Sequence, residues 1–153
     1  MSHAMQASPN VCTSAPDSSR QTAAINQEAQ ALYDALYPTE SWVQVAKVLH
    51  RELGLTQAEI AHGANVTTAT VARWLESPDE APVRAGDRLD DLRYAVLWMA
   101  CGCGMGPRLI RFWLTAKNPH LGEDPLGAIA AGRFEQVIEI AHAFSEARSA
   151  AGR

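Results

Sequence analysis

Gln57, Thr67, Thr68, Thr70 and Arg73 lie in one stretch, LTQAEIAHGANVTTATVARWL, running from Leu55 to Leu75. Their amide, hydroxyl and guanidinium groups suit hydrogen bonding to base edges and phosphates, not bond-breaking chemistry. Groups for covalent chemistry are sparse elsewhere. His120, Glu123 and Asp124 are the one grouping of imidazole and carboxylates in a loop. Loop solvation and a helix-capping role for Asp124 account for them. Gly102-Cys103-Gly104-Met105-Gly106 lacks the Lys and Ser/Thr of a phosphate loop and follows a helical pattern instead of a strand. The cysteines are Cys12, Cys101 and Cys103, an odd number, so no disulfide framework is expected. Cys101 and Cys103 have the spacing of half a metal site, but no second pair completes it, and His50, His62, His120 and His142 are scattered. Small buried thiols in a reducing cytoplasm are the expectation. The chain is read as carrying no catalytic centre, no metal and no cofactor.

The Leu55–Leu75 stretch reads as two short helices around a tight turn. Thr56 is a good N-cap, and Glu59 three residues on completes a capping box. Ala58, Ile60 and Ala61 are expected on the buried side of the first helix. The chain turns through Ala64-Asn65-Val66, and Asn65 stands where a residue tolerant of positive φ is needed. Thr67 or Thr68 caps the second helix. Val71, Trp74 and Leu75 form its apolar face, with Thr68, Ala69, Thr70 and Arg73 outward. A short helix, a tight turn and a second helix offering hydroxyls and an Arg is the geometry of a helix-turn-helix in a DNA major groove. Two helices of an ordinary helical domain with a solvated polar face fit the same pattern.

At 153 residues the chain is one domain or two small ones, and 47% apolar residues suffice for a core. Sustained alternation is missing, Ala is abundant and helical period dominates, so the expected class is all-α. A net charge of −4 argues against nonspecific coating of nucleic acid. Between Ser41 and Ser77, Lys47, Arg51 and Arg73 balance Glu52, Glu59 and Glu76. Phosphate contacts there must be few, or must come from a dimer or from Arg84 and Arg88 nearby. The longest apolar run, Tyr94 to Cys103, is too short to span a bilayer. The N-terminus lacks the order of a signal peptide. A soluble cytoplasmic protein without a membrane partner is expected.

Residues 1–21, rich in Ser, Ala, Pro and Thr, read as a disordered leader. Residues 22–77 read as an N-terminal unit. A helix over Thr22–Tyr37 places Ile25, Ala29, Leu32, Tyr33 and Leu36 on one face, and Pro38 stops it. A second over Ser41–Leu53 carries Trp42, Val45, Ala46, Leu49 and Leu53, and Gly54 ends it. The helix-turn-helix follows. Ser77-Pro78 closes it, and Ser77–Gly86 is a loop between halves. Residues 87–148 read as a second helical unit. Asp87–Met99, capped by Asp87, has a stripe of Leu89, Leu92, Val96 and Met99, with Tyr94, Leu97 and Trp98 on other sides. Pro107 starts the next helix, to Ala116, with Leu109, Ile110, Trp113 and Leu114 inward. Asn118-Pro119 and Gly122 form a loop. Asp124 caps a short helix that Pro125 begins and Gly132 ends, with Leu126, Ile129 and Ala130 inward. Phe134–Arg148 is last, with Phe134, Val137, Ile138, Ala141 and Phe144 on one side. Apolar surface on Ile25–Leu36 and Leu89–Met99 exceeds what one small domain needs, and it predicts a homodimer.

Two stretches in order carry a family resemblance. The Leu55–Leu75 string resembles the Xre/Cro-type repressors in its Thr-Gln head, its alanines, the Val after the turn and the closing Arg-Trp. The string WLTAKNPHLGEDPLGAIAAGRFEQVI, with its Trp-Leu, Asn-Pro, Leu-Gly, Pro-Leu and Gly-Arg, resembles the C-terminal domain of the MbcA/ParS/Xre antitoxin family. That match runs roughly from Asp87 to Phe144. The Ser-rich leader and the Tyr94–Gly106 run depart from the pattern. The resemblance implies a type II antitoxin that neutralises a cognate toxin, commonly a RES-domain enzyme that consumes NAD, and represses its own operon. It implies operator DNA as one partner and a homodimer or higher hetero-oligomer as the assembly. It also implies that Gln57 touches a phosphate or base edge. The toxin-binding candidates are Trp113, Asn118, Pro119, Leu121, Gly122, Pro125, Gly132, Arg133 and Arg148. The prolines, glycines and capping Asp set the loop's shape before binding, which limits ordering entropy, and either Arg133 and Arg148 project toward partner carboxylates or, as the resemblance implies, the tail of the final helix enters the toxin's substrate cleft. A stand-alone helix-turn-helix repressor, dimerised by its C-terminal domain, is the alternative.

Overall fold

Gly, Pro and capping side chains cut this sequence into helices short enough to pack around one another. A computed structural model describes residues 20–37, 41–78 and 87–151. These form eight α-helices: α1 Arg20–Leu36, α2 Trp42–Arg51, α3 Gln57–Ala64, α4 Thr68–Glu76, α5 Asp87–Leu97, α6 Pro107–Thr115, α7 Pro125–Ala130 and α8 Phe134–Ala151. Among the described residues the one extended pairing is an isolated bridge between Asn118 and Glu123. The chain is all-α, as its periodicity predicts. The expected leader lies outside the described residues except for Arg20 and Gln21, which already belong to α1. The 79–86 part of the expected linker also lies outside them.

α1 buries Ala29, Leu32, Tyr33 and Leu36, the positions one helical face requires. α2 is capped by Ser41, whose hydroxyl accepts from the Gln44 N–H at 3.3 Å. It buries more than the expected stripe: Val43 and Val48 join Val45, Ala46 and Leu49, while Trp42 is only half-buried. The reason is that α2 is covered by α1, α3 and α4 together. α5 buries Leu89, Leu92, Ala95, Val96 and Leu97, and the buried Arg93 on it ties α1 to α5. Its guanidinium pairs with Asp90 at 2.9 Å and donates to the Leu36 carbonyl at 3.4 Å.

An α-helix to Met99 is expected, but the helix widens instead. Trp98–Gly102 form one π turn, with the Cys103 N–H donating to the Trp98 carbonyl at 3.2 Å. Gly102 permits this, because a Cβ there would sit 3.1 Å from the Trp98 ring. Met99, Ala100, Cys103 and Met105 all stay in the core around this turn.

One hydrophobic core runs through all eight helices. α3 packs on α4, α5 and α7, so the segments before and after residues 79–86 share their interior. Of the apolar stripes that suggest a dimer, Ala29, Leu32, Tyr33 and Leu36 of α1 and the Leu89–Met99 stripe are buried within the chain itself, and the Ile25 side chain lies outside those described. Phe112, 66% exposed, is the large hydrophobic left outside among the described residues. Cys103 is a free buried thiol. Cys101 is disulfide-bonded, which departs from the expectation of reduced thiols.

Candidate functional site

The α3–turn–α4 unit is built by local hydrogen bonds. Thr56 Oγ1 accepts from the Glu59 N–H at 3.1 Å, and Glu59 Oε1 accepts from the Thr56 N–H at 2.9 Å. This is the capping box that the spacing predicts. Asn65 takes φ 59°, the one non-Gly positive φ among the described residues, and the Val66 N–H donates back to the Ala61 carbonyl at 3.0 Å. Thr67, not Thr68, caps α4: its hydroxyl accepts from the Thr70 N–H at 3.1 Å and lies 2.9 Å from the Thr70 hydroxyl. Val71 and Trp74 are buried, and Lys47 Nζ donates to the Ser77 carbonyl at 2.6 Å, fixing the end of α4. Ala58 is exposed, contrary to expectation. At about 100° per residue it sits opposite Ile60, and Gly63 and Ala64 complete the buried side instead.

Thr68, Ala69 and Arg73 are exposed on α4, with Thr70 and Gln57 half-buried. No hydrogen bond or ion pair among the described residues uses the Arg73 side chain. The Thr70 hydroxyl is engaged by Thr67, so Thr68 and Arg73 are the groups most open to an outside ligand.

The second set of candidates surrounds the loop before α7. The Asn118 N–H donates to the Glu123 carbonyl at 3.0 Å, and the Asn118 carbonyl accepts from the Leu121 and Gly122 N–H groups, each at 3.0 Å. Asn118 Oδ1 accepts from the His120 N–H at 2.9 Å. Gly122 (φ 77°) and Gly132 (φ 87°) hold turn positions that other residues adopt only under strain. Asp124 Oδ2 caps α7 by accepting from the Gly127 N–H at 3.1 Å. Arg133 does not project outward as expected. Its Nη1 donates to Glu123 Oε2 at 3.0 Å, its Nη2 to the Leu121 carbonyl at 3.2 Å and its Nε to Gln136 at 2.8 Å. The fork of donors closes the loop at the surface, because a carboxylate and a carbonyl stand within its reach. Leu121 and Pro125 face the core, whereas Pro119 is exposed.

Trp113 and Asn118 line a groove of about 430 Å³ with His120, Ile140 and Phe144. Trp113 is 6% exposed, its ring 6.3 Å from that of Phe144. Arg148 lies on the exposed end of α8, its guanidinium 5.9 Å from the Phe144 ring. Ile140 and His120 are absent from the sequence-derived set. Ile140, Ala143, Phe144 and Ala147 recur at helical spacing, a signal beside the main stripe of α8.

The two sets meet through α3. His62 Nε2 lies 3.1 Å from Asp124 Oδ2. A Cβ on Gly63 would stand 2.9 Å from Leu126 Cδ2 and 3.1 Å from Leu92 Cδ2, so α3 approaches α7 and α5 closely through its glycine. Burial pushes the Cys103 thiol up to about 11, against the Ser145 hydroxyl and Arg148, which act to lower it. It stays protonated and is a poor nucleophile. Among the described residues no group of three or more His, Cys, Asp or Glu side chains could hold a metal ion, and no helix is long and apolar enough to cross a membrane. Comparison with known protein families, with curated proteins and with solved structures gives no match.

Proposed function

We propose that this chain is a DNA-binding antitoxin. In this reading α3, the Asn65 turn and α4 are a helix-turn-helix that reads operator DNA, and the 118–133 segment with α8 grips a cognate toxin. The observation that carries the first half is α4 itself: anchored inside by Val71 and Trp74, capped by Thr67, and offering Thr68, Ala69 and an unengaged Arg73 outside. A recognition helix makes base contacts with outward residues near its N-terminus, where Thr68 and Ala69 stand, and Arg73 in the last turn reaches a phosphate or a guanine edge. Gln57, at the head of α3, reaches a phosphate or base edge. The neutral charge of the 41–77 stretch favours two copies on a palindromic site, hence a homodimer.

The second half is supported by the shaped loop and the apolar groove beside it. A loop fastened by Arg133, Asp124 and two positive-φ glycines loses little entropy on binding. Trp113, Ile140 and Phe144 supply an apolar anchor point, and Arg148 stands at its rim. A toxin of the RES-domain, NAD-consuming class is the partner that the family resemblance suggests, with cytoplasmic action and no catalysis by this chain. A stand-alone repressor is the second reading. It is favoured by the packing of α3 on α7, which gives the C-terminal segment a structural task of its own.

Co-expression with the product of the adjacent reading frame tests the proposal. The antitoxin reading expects the product to co-purify and its toxicity to be suppressed, and Ile140→Glu in the groove to abolish both while the fold survives. An adjacent product that neither binds nor is neutralised supports the stand-alone repressor.

A further inference from the structure

We infer that Arg111 is a positioning residue for DNA reading, which rests on the reading of α3 and α4 as a DNA-binding unit. Arg111 belongs to α6, more than fifty residues beyond the head of α3. Its Nε donates to the Gly54 carbonyl at 2.9 Å, and its Nη2 lies 3.2 Å and 3.3 Å from the two Glu59 oxygens. Glu59 also accepts the Thr56 N–H in the capping box. One guanidinium therefore fastens two points that flank the 55–58 segment, and Gln57 lies between them.

The geometry is specific to Arg. Nε and Nη2 share one edge of a planar fork, so two parallel donors fix orientation as well as distance. Gly54 stands at φ 80°, and Arg111 Cδ passes 3.6 Å from where its Cβ would be. The stem of the arginine thus lies over the turn that leads from α2 to α3. A Lys keeps the charge but offers a single point of attachment.

The pair is partly open to solvent, with Arg111 39% and Glu59 26% exposed at the side chain. Such pairs add little to global stability. Its effect is on placement, because a reading constellation works only when held to within about 0.5 Å of its productive geometry. Nothing in the 55–75 string points to Arg111, since α6 is distant in the chain.

Arg111→Lys and Arg111→Ala test the inference alongside Arg73→Ala. Each protein is titrated by fluorescence anisotropy against the duplex upstream of its own gene across a salt series, and its thermal melt is recorded. Arg111→Lys is expected to fold and to bind about three- to tenfold more weakly. Its slope of log K against log salt should match wild type, because no phosphate contact is lost. A phosphate contact at Arg73 shows itself instead as a slope lower by about 1 in Arg73→Ala. Hydrogen exchange at the 56–60 amides should quicken in Arg111→Lys. Wild-type affinity in Arg111→Lys overturns the inference even if Arg111→Ala fails to fold. A slope loss of about 1 in a folded Arg111 variant overturns it as well, by making Arg111 a phosphate ligand. A wild-type protein with no affinity for the duplex is a separate outcome, which overturns the DNA-binding reading itself.

Discussion

Substituting Asp124 separates two interactions made by one carboxylate. Oδ2 caps α7 by accepting from the Gly127 N–H at 3.1 Å, and it also lies 3.1 Å from His62 Nε2 on α3. Removing an N-cap costs about 0.5–2 kcal/mol, centred near 1. The His62 side chain is 51% exposed, so its pair with Asp124 contributes about 0.2–1 kcal/mol. Asp124→Ala loses both and is expected to destabilise by about 1–3 kcal/mol. Asp124→Asn keeps an amide oxygen as cap and weakens only the pair, so it should lose about 0.2–1 kcal/mol. In a chain of 153 residues each kcal/mol is worth about 2–4 °C in Tm. Thermal and urea melts of Asp124→Ala, Asp124→Asn, His62→Ala and His62→Ala/Asp124→Ala complete a double-mutant cycle, whose coupling energy should be about 0.2–1 kcal/mol. If Asp124→Asn proves as damaging as Asp124→Ala, the cap is not the source of the loss and the reasoning fails. Zero coupling would remove His62 as a link between α3 and α7.

Gly63→Ala places a methyl 2.9 Å from Leu126 Cδ2. Overpacking at about 1–3 kcal/mol outweighs a helix-propensity gain of about 1 kcal/mol, so Tm should fall, and a rise would contradict the close α3–α7 approach. The Cys103 thiol, raised from 9.0 to about 11 by burial, should resist iodoacetamide in the native protein at pH 8. Because the folded value is the higher one, its contribution to stability is present below about pH 9 and is lost as pH rises through 11. Fast native alkylation would contradict this. Truncation after Phe144 leaves Val137 and Ala141 in the core but removes Arg148 and the Ser145 hydroxyl bond to the Cys103 carbonyl. The truncated chain should fold with stability lower by about 0.5–1.5 kcal/mol and should lose toxin neutralisation. Full neutralisation by it would exclude the tail as the inhibitory element.

Local chemistry was legible in the sequence. Thr56 and Glu59, Asn65, Asp124 with Pro125, and Gly132 all act within a few residues of themselves, and each takes the role its type and spacing indicate. What was not legible depends on chain segments far apart. Arg133 reads as a projecting cation, yet Glu123 and the Leu121 carbonyl fold back to meet it. His62 and Arg111 look like solvated side chains until α7 and α3 come alongside them. Ala58 reads as buried yet is exposed, because α3 is too short for periodicity to decide which face is covered. The π turn at Trp98–Gly102 carries no propensity signal beyond its glycine. The apolar excess on Ala29–Leu36 and on α5 reads as surface to spare, but the chain's own core takes it up.

Binding of the protein to duplex DNA from upstream of its own gene, measured by anisotropy for wild type, Arg73→Ala and Thr68→Ala/Arg73→Ala, tests the central claim most directly. Both substituted positions are exposed, so the three proteins should have the same melts. Arg73→Ala should weaken binding by about 1–3 kcal/mol if its guanidinium meets a guanine edge, and the double variant should weaken it further. Wild-type affinity in the double variant would contradict the account, because α4 would then not be the element that reads DNA.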